Sequence, residues 1–78
     1  MAGTGPATTM ERPPLLRNSR DIKRRLEQEG WILTRVTGSH HVFKHPTIKP
    51  IVVLPHPKKD LGIGLVRNIY RQAQWKFD

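Results

Sequence analysis

The chain has 78 residues, enough for one small domain and no second. Fourteen Lys and Arg against six Asp and Glu give a formal net charge of +8, which points to an anionic partner: nucleic acid, an acidic protein or an anionic membrane surface. The lack of Cys excludes disulfides and thiolate metal sites, and no apolar run approaches the roughly 20 residues of a membrane span.

Residues 1–18 read as a flexible extension, rich in Ala, Gly, Thr and Pro and without apolar period. They hold no charged segment followed by an apolar one, so no secretory signal is expected and the protein is placed in the cytoplasm. Leu15 and Leu16 are the only large aliphatic residues there and are able to dock weakly. Structure is predicted to begin at Ser19, a good N-cap, with Asp21 in the first turn where the helix dipole favours an acid. Ile22 and Leu26 form a narrow apolar stripe, and Gly30 ends a helix near 20–29. Lys23 precedes Glu27 and Arg25 precedes Glu29, the less favourable order for pairs four apart. This helix therefore depends on packing against a sheet. Trp31–Val36 reads as a strand, Thr37-Gly38-Ser39 as a turn, and His40–Lys44 as a second strand. Ile51–Leu54 is a third, stopped by Pro55 and Pro57. Leu65, Val66, Ile69, Tyr70 and Ala73 then mark an amphipathic helix from about Gly62 or Gly64 to Ala73. The expected fold is α+β, in the order α-β-β-β-α. Both helices cover one face of a three-stranded antiparallel sheet and the other face stays open. The domain spans 19–75, and 76–78 is a short tail.

All four histidines lie between His40 and His56. Their spacing argues against zinc, because no Cys is present and the nearest acid is Asp60. Ser39 beside His40 makes a poor hydrolase pair, since neighbours in a strand point apart. Acid–base cleavage of RNA asks for less. RNA carries its own nucleophile, the 2′-hydroxyl, and the protein need only move protons and neutralise phosphate. His40, beside Gly38 and with Arg35, Lys44, Lys58 and Lys59 nearby in sequence, meets those needs. On residue types alone, a surface histidine at a strand start is the favoured reading of His40. Strand parity puts His40, Val42 and Lys44 on one face and His41, Phe43 and His45 on the other. Phe43 belongs to the core, so His40 falls on the open face unless a bulge near Gly38 intervenes. His41 and His45 read as structural, and His56, between two prolines, is a candidate for lining the site.

Gly30-Trp31, Arg35-Val36-Thr37-Gly38-Ser39-His40-His41-Val42-Phe43 and Val53-Leu54-Pro55-His56-Pro57-Lys58-Lys59-Asp60-Leu61 together resemble HicA toxins. The likeness covers about residues 19–73. It implies a fold like that of double-stranded-RNA-binding domains and an mRNA interferase that acts independently of the ribosome. It also implies His40 as the catalytic residue, with Gly38 as the glycine of the same motif. The partner implied is a HicB-like antitoxin that covers the active site, so that operator DNA is met only through the antitoxin. The last helix departs from the family pattern. Leu61-Gly62-Ile63-Gly64-Leu65 stands where relatives commonly have a proline and a Gly-Thr step, and Gln72-Ala73-Gln74-Trp75 where they often have Gln-Ala-Gly.

The expected reaction is transesterification by His40 without metal or cofactor. Backbone N–H groups near Gly38 and Ser39 hold the phosphate, and Arg35, Lys44, Lys58 and Lys59 supply the charge. A non-catalytic RNA-binding module on the same fold is the first rival, and a domain for an acidic protein partner is the second. Arg67 and Arg71, one turn apart, suit an antitoxin-facing surface. Residues 20–75 hold eleven Lys or Arg and four Asp or Glu, so +7 of the +8 belongs to the folded unit.

Overall fold

A computed structural model describes residues 15–76. The first helix, α1, spans Ser19–Gln28. Asn18 is its N-cap, in place of the predicted Ser19: Asn18 Oδ1 accepts from the Arg20 N–H at 2.9 Å. Asn caps as well as Ser does. Ser19 is instead the first helical residue, buried, with its hydroxyl engaged elsewhere. Ile22 and Leu26 are fully buried, as their spacing implies. The helix stops at Gly30, whose φ is +94°. The Gly30 N–H donates to the Glu27 carbonyl and the Trp31 N–H to that of Leu26, which is a Schellman motif. Both reversed pairs close, Lys23–Glu27 at 2.8 Å and Arg25–Glu29 at 3.0 Å. Being partly exposed, each is worth only about 0.3–0.5 kcal/mol.

Three strands follow: β1 (Ile32–Thr37), β2 (His40–Lys44) and β3 (Val52–Pro55). They form an antiparallel sheet in the order β1-β2-β3. β1 starts one residue later than predicted, because Trp31 belongs to the helix stop and is buried in the core. β3 is also displaced by one residue, and its ladder with β2 runs on to Pro55 opposite His40. Gly38, at φ +59°, is the first central residue of the two-residue β1–β2 turn, and Ser39 has no positive φ. That is the type II′ pattern, whose twist suits a hairpin. Among the described residues the ladder shifts register at a bulge in β1 between Leu33 and Arg35, away from Gly38. There the Thr34 hydroxyl donates to the Val42 carbonyl at 3.2 Å.

The second helix, α2, spans Ile63–Ala73, inside the predicted window. Val66, Ile69, Tyr70 and Ala73 bury its inner face. They share one core cluster with Ile22 and Leu26 of α1 and with Phe43, Val52 and Leu54 of the sheet. Both helices therefore cover the same sheet face, as expected. Residues 15–18 are packed onto this core: Leu15 and Leu16 touch it, and the Leu16 N–H donates to Tyr70 Oη at 2.9 Å. Arg17 Nε reaches the Leu61 carbonyl at 3.1 Å and Asp60 at 3.2 Å. The rest of the expected extension, 1–14, lies outside the described residues, as do 77 and 78. At the other end Trp75 is buried and clasps α1. Its indole N–H donates to Glu29 at 2.7 Å, and the Arg25 guanidinium lies 4.1 Å from its ring centre.

Candidate active site

The register assigns each strand residue to a face, because directly opposed residues share one. His40 stands opposite Thr37 and Pro55, Val42 opposite Arg35 and Val53, and Lys44 opposite Ile32. Phe43, Val52 and Leu54 are in the core with the helices, so His40, Val42, Lys44 and the residues opposite them face away from both helices. His40, Arg35 and Lys44 therefore share the open face, and all three are exposed. Arg35 is the diagonal neighbour of His40, a spacing of roughly 7–8 Å that a long side chain spans. Lys44 is four residues further along the strand, about 13 Å away. Residues 30–59 contain five Lys or Arg and no Asp or Glu. Among the described residues, no side-chain hydrogen bond or ion pair engages His40, Arg35 or Lys44.

The turn before His40 is held from the other side. Gly38 is open, with nothing within 4 Å of where a Cβ would stand. The Ser39 carbonyl accepts from the His56 N–H at 2.8 Å, and His41 Nδ1 lies 3.3 Å from it. The His41 and His56 rings meet edge to face at 5.1 Å. Ser19 Oγ sits 2.7 Å from His56 Nδ1 and accepts from the Lys58 N–H, also at 2.7 Å. That bond leaves the Ser19 hydroxyl hydrogen for His56, so Nδ1 accepts and Nε2 carries the proton. Partial burial, then the neighbouring His41 and Lys23 charges, lower the His56 pKa below the ordinary histidine value; Glu27 opposes them. His56 thus lies beside His41 and α1, on the helix side of the turn, and not beside the His40 ring.

The remaining candidates divide. Lys58 and Lys59 are exposed in the loop that follows β3, with the Lys58 backbone fixed to Ser19 through both its N–H and its carbonyl. Arg67 and Arg71 are exposed on the outer face of α2, in the helix layer. The structure does not bring them to His40. His45 is structural: its Nδ1 accepts from the Thr47 N–H, its Nε2 donates to the Glu29 carbonyl at 3.0 Å, and its ring meets Trp31 edge to face. A Cβ at Gly30 would stand 3.3 Å from that Nε2, so glycine serves there twice. Among the described residues no group of three or more His, Asp or Glu is placed to hold a metal ion.

Sequence reasoning read Ser19 only as a cap and missed its bond to His56. Nothing local signals a contact across 37 positions.

A family model described as the HicA toxin of bacterial toxin–antitoxin systems matches residues 19–75. No curated protein matches the chain. Among the described residues no helix is long and apolar enough to cross a membrane. The matched span opens at Ser19, the first residue of α1, and closes at Trp75, the clasp on that helix.

Proposed function

The chain belongs to the HicA toxin family of bacterial toxin–antitoxin systems, a family of ribonuclease toxins, and we propose that it cleaves mRNA, independently of the ribosome, at a site built around His40. The observation that carries this reading is the placing of His40. It stands exposed on an acid-free sheet face, with Arg35 diagonal to it and Lys44 further along the same strand.

The reaction is a transesterification. The 2′-hydroxyl attacks the adjacent phosphorus, the bond to the 5′-oxygen breaks, and a 2′,3′-cyclic phosphate and a 5′-hydroxyl result. His40 takes the 2′-hydroxyl proton or delivers one to the leaving oxygen, the acid–base role that an imidazole ring, able to accept or donate a proton at nitrogen, is suited to. Arg35, Lys44, Lys58 and Lys59 offset the charge that builds on the phosphate. Backbone N–H groups near Gly38 and Ser39 bind the phosphate, and the open space around Gly38 admits it. His56 supports the site from behind the turn. Since histidine and lysine chemistry suffices, the step is assigned no metal or other cofactor.

His40→Ala is expected to lower RNA cleavage by about 10²–10⁴-fold, leave the fold intact and abolish toxicity on expression. Cleavage at the parental rate by that variant overturns the assignment. Loss of parental activity in chelator overturns the metal-independent mechanism. RNA binding without cleavage by the parental protein supports the rival, a non-catalytic RNA-binding module, which the exposed Lys58 and Lys59 ahead of α2 also suit. The antitoxin is taken to be a HicB-like protein that covers the His40 face, with Arg67 and Arg71 as a second contact. Operator DNA is then reached only through it.

A further inference from the structure

We propose that Ser19 and His56 are positioning residues that set the aim of His40 from the far side of the turn. The proposal rests on the reading of His40 as the catalytic residue. It begins with a peptide group: the Ser39 carbonyl and the His40 N–H lie in one plane. Whatever holds the carbonyl oxygen therefore orients the backbone from which the His40 side chain departs.

The β1–β2 ladder pairs His40 with Thr37, but no packing backs the turn: nothing stands within 4 Å of where a Gly38 Cβ would be, and the preceding strand, β1, is exposed along its whole length. The Ser39 carbonyl is instead held by the His56 N–H at 2.8 Å, with His41 Nδ1 3.3 Å away. His56 is in turn held by its ring. Ser19 is 1% exposed, and its hydroxyl donates to His56 Nδ1 at 2.7 Å while accepting from the Lys58 N–H. The Ser19 N–H adds a bond to the Lys58 carbonyl at 2.8 Å. A continuous chain of hydrogen bonds thus runs from the start of α1, through Ser19 and His56, to the peptide that carries His40. Neither Ser19 nor His56 lies on the open face, so neither is placed to touch RNA there. Their effect is on the geometry of His40.

A role of this kind lowers kcat and spares KM in the His56 variants, which leave the bonds between Ser19 and the Lys58 backbone in place; Ser19→Ala also frees the Lys58 N–H and is therefore read through kcat and hydrogen exchange. The full chain is assayed on a short RNA, with folding checked by circular dichroism and thermal melting. Ser19→Ala and His56→Ala are each expected to lower kcat by about 10- to 100-fold, the scale of a misplaced catalytic group, with the KM of His56→Ala within about twofold of the parental value. His56→Asn keeps an acceptor where Nδ1 stood and is expected to restore most of the rate. Hydrogen exchange supplies a second readout: Ser19→Ala speeds exchange at the His40 amide more than at the core strand amides. His56 is only partly buried, so His56→Ala gives the same test without disturbing the buried helix start. A folded His56→Ala protein with parental kcat overturns the proposal, as does a loss carried wholly by KM or equal loss in the Asn and Ala variants. His40→Ala, run in parallel, separates the two readings. If it is inactive while the Ser19 and His56 variants cleave normally, only the positioning role fails; if it cleaves, the catalytic reading fails.

Discussion

His56 is the residue at which packing and protonation meet most directly. Its neutral form is the one the fold uses, since Nδ1 accepts from Ser19. Partial burial and the His41 and Lys23 charges oppose a second proton, so the folded pKa lies below the unfolded one. The linkage follows from that direction. Above about pH 6.5 both states are neutral and the contribution to stability is complete. As pH falls through 6.5 toward the lower folded value, the unfolded chain binds more protons and stability is lost. Thermal melting from pH 8 to pH 5 is expected to show this loss, and His56→Asn to show less of it. Equal pH dependence in the two proteins excludes His56 as its source. The same residue marks the limit of what the sequence discloses. Parity along His40–Lys44 is enough to put His40 on the open face, because Phe43 must go inside and the side-chain period is two. The link from His56 to Ser19 depends on how the β3–α2 loop lies over the start of α1, and no local pattern encodes it.

At the scale of elements, both helices end in the same motif but with different residues. After α1, Gly30 takes the left-handed turn and Trp31 follows it into the core. After α2, Gln74 does so at φ +64°, and Trp75 is the buried residue that follows. The bonds match as well, Trp31 N–H to Leu26 and Trp75 N–H to Tyr70. A left-handed conformation costs a residue with a Cβ about 1–2 kcal/mol, and glycine escapes it. Part of that gain is offset by the greater freedom of glycine in the unfolded chain. Gln74→Gly is therefore expected to stabilise by up to about 1 kcal/mol, raising Tm by roughly 4–8 °C for a domain of this size. Gly64 offers the opposite exchange. It lies within α2 at ordinary φ, with nothing within 4 Å of a Cβ. Gly64→Ala is expected to add about 0.4–1 kcal/mol. A fall in Tm in either protein contradicts the corresponding argument. Gly30 announced its stop in the sequence because glycine is the residue that turn favours. Gln74 announced nothing, and only the buried Trp75 and its bond to Glu29 explain why the chain turns there.

Across the whole molecule the charges are sorted by layer. Three of the four acids in residues 20–75 are paired: Glu27 with Lys23, Glu29 with Arg25 and Asp60 with Arg17. The strands and their loops, 30–59, contribute five positive charges and no negative one. The sign of the net charge was plain from composition, and the element order from periodicity. The division between the sheet face and the α2 face is a product of packing, since it depends on which side of each element the core claims. It leads to a measurement that tells the two surfaces apart. Each phosphate neutralised on single-stranded RNA adds about −0.7 to the slope of log K against log salt. Four contacts from Arg35, Lys44, Lys58 and Lys59 give a slope of roughly −3. With His40→Ala protein to prevent cleavage, anisotropy titrations of a labelled RNA at several KCl concentrations read that slope. Removing any one of the four is expected to flatten it by about 0.7. Arg67→Ala and Arg71→Ala are expected to leave it unchanged, because their helix lies on the other side of the sheet. If they flatten it as much as those four variants do, RNA reaches the α2 face as well and the assignment of Arg67 and Arg71 to a protein partner fails.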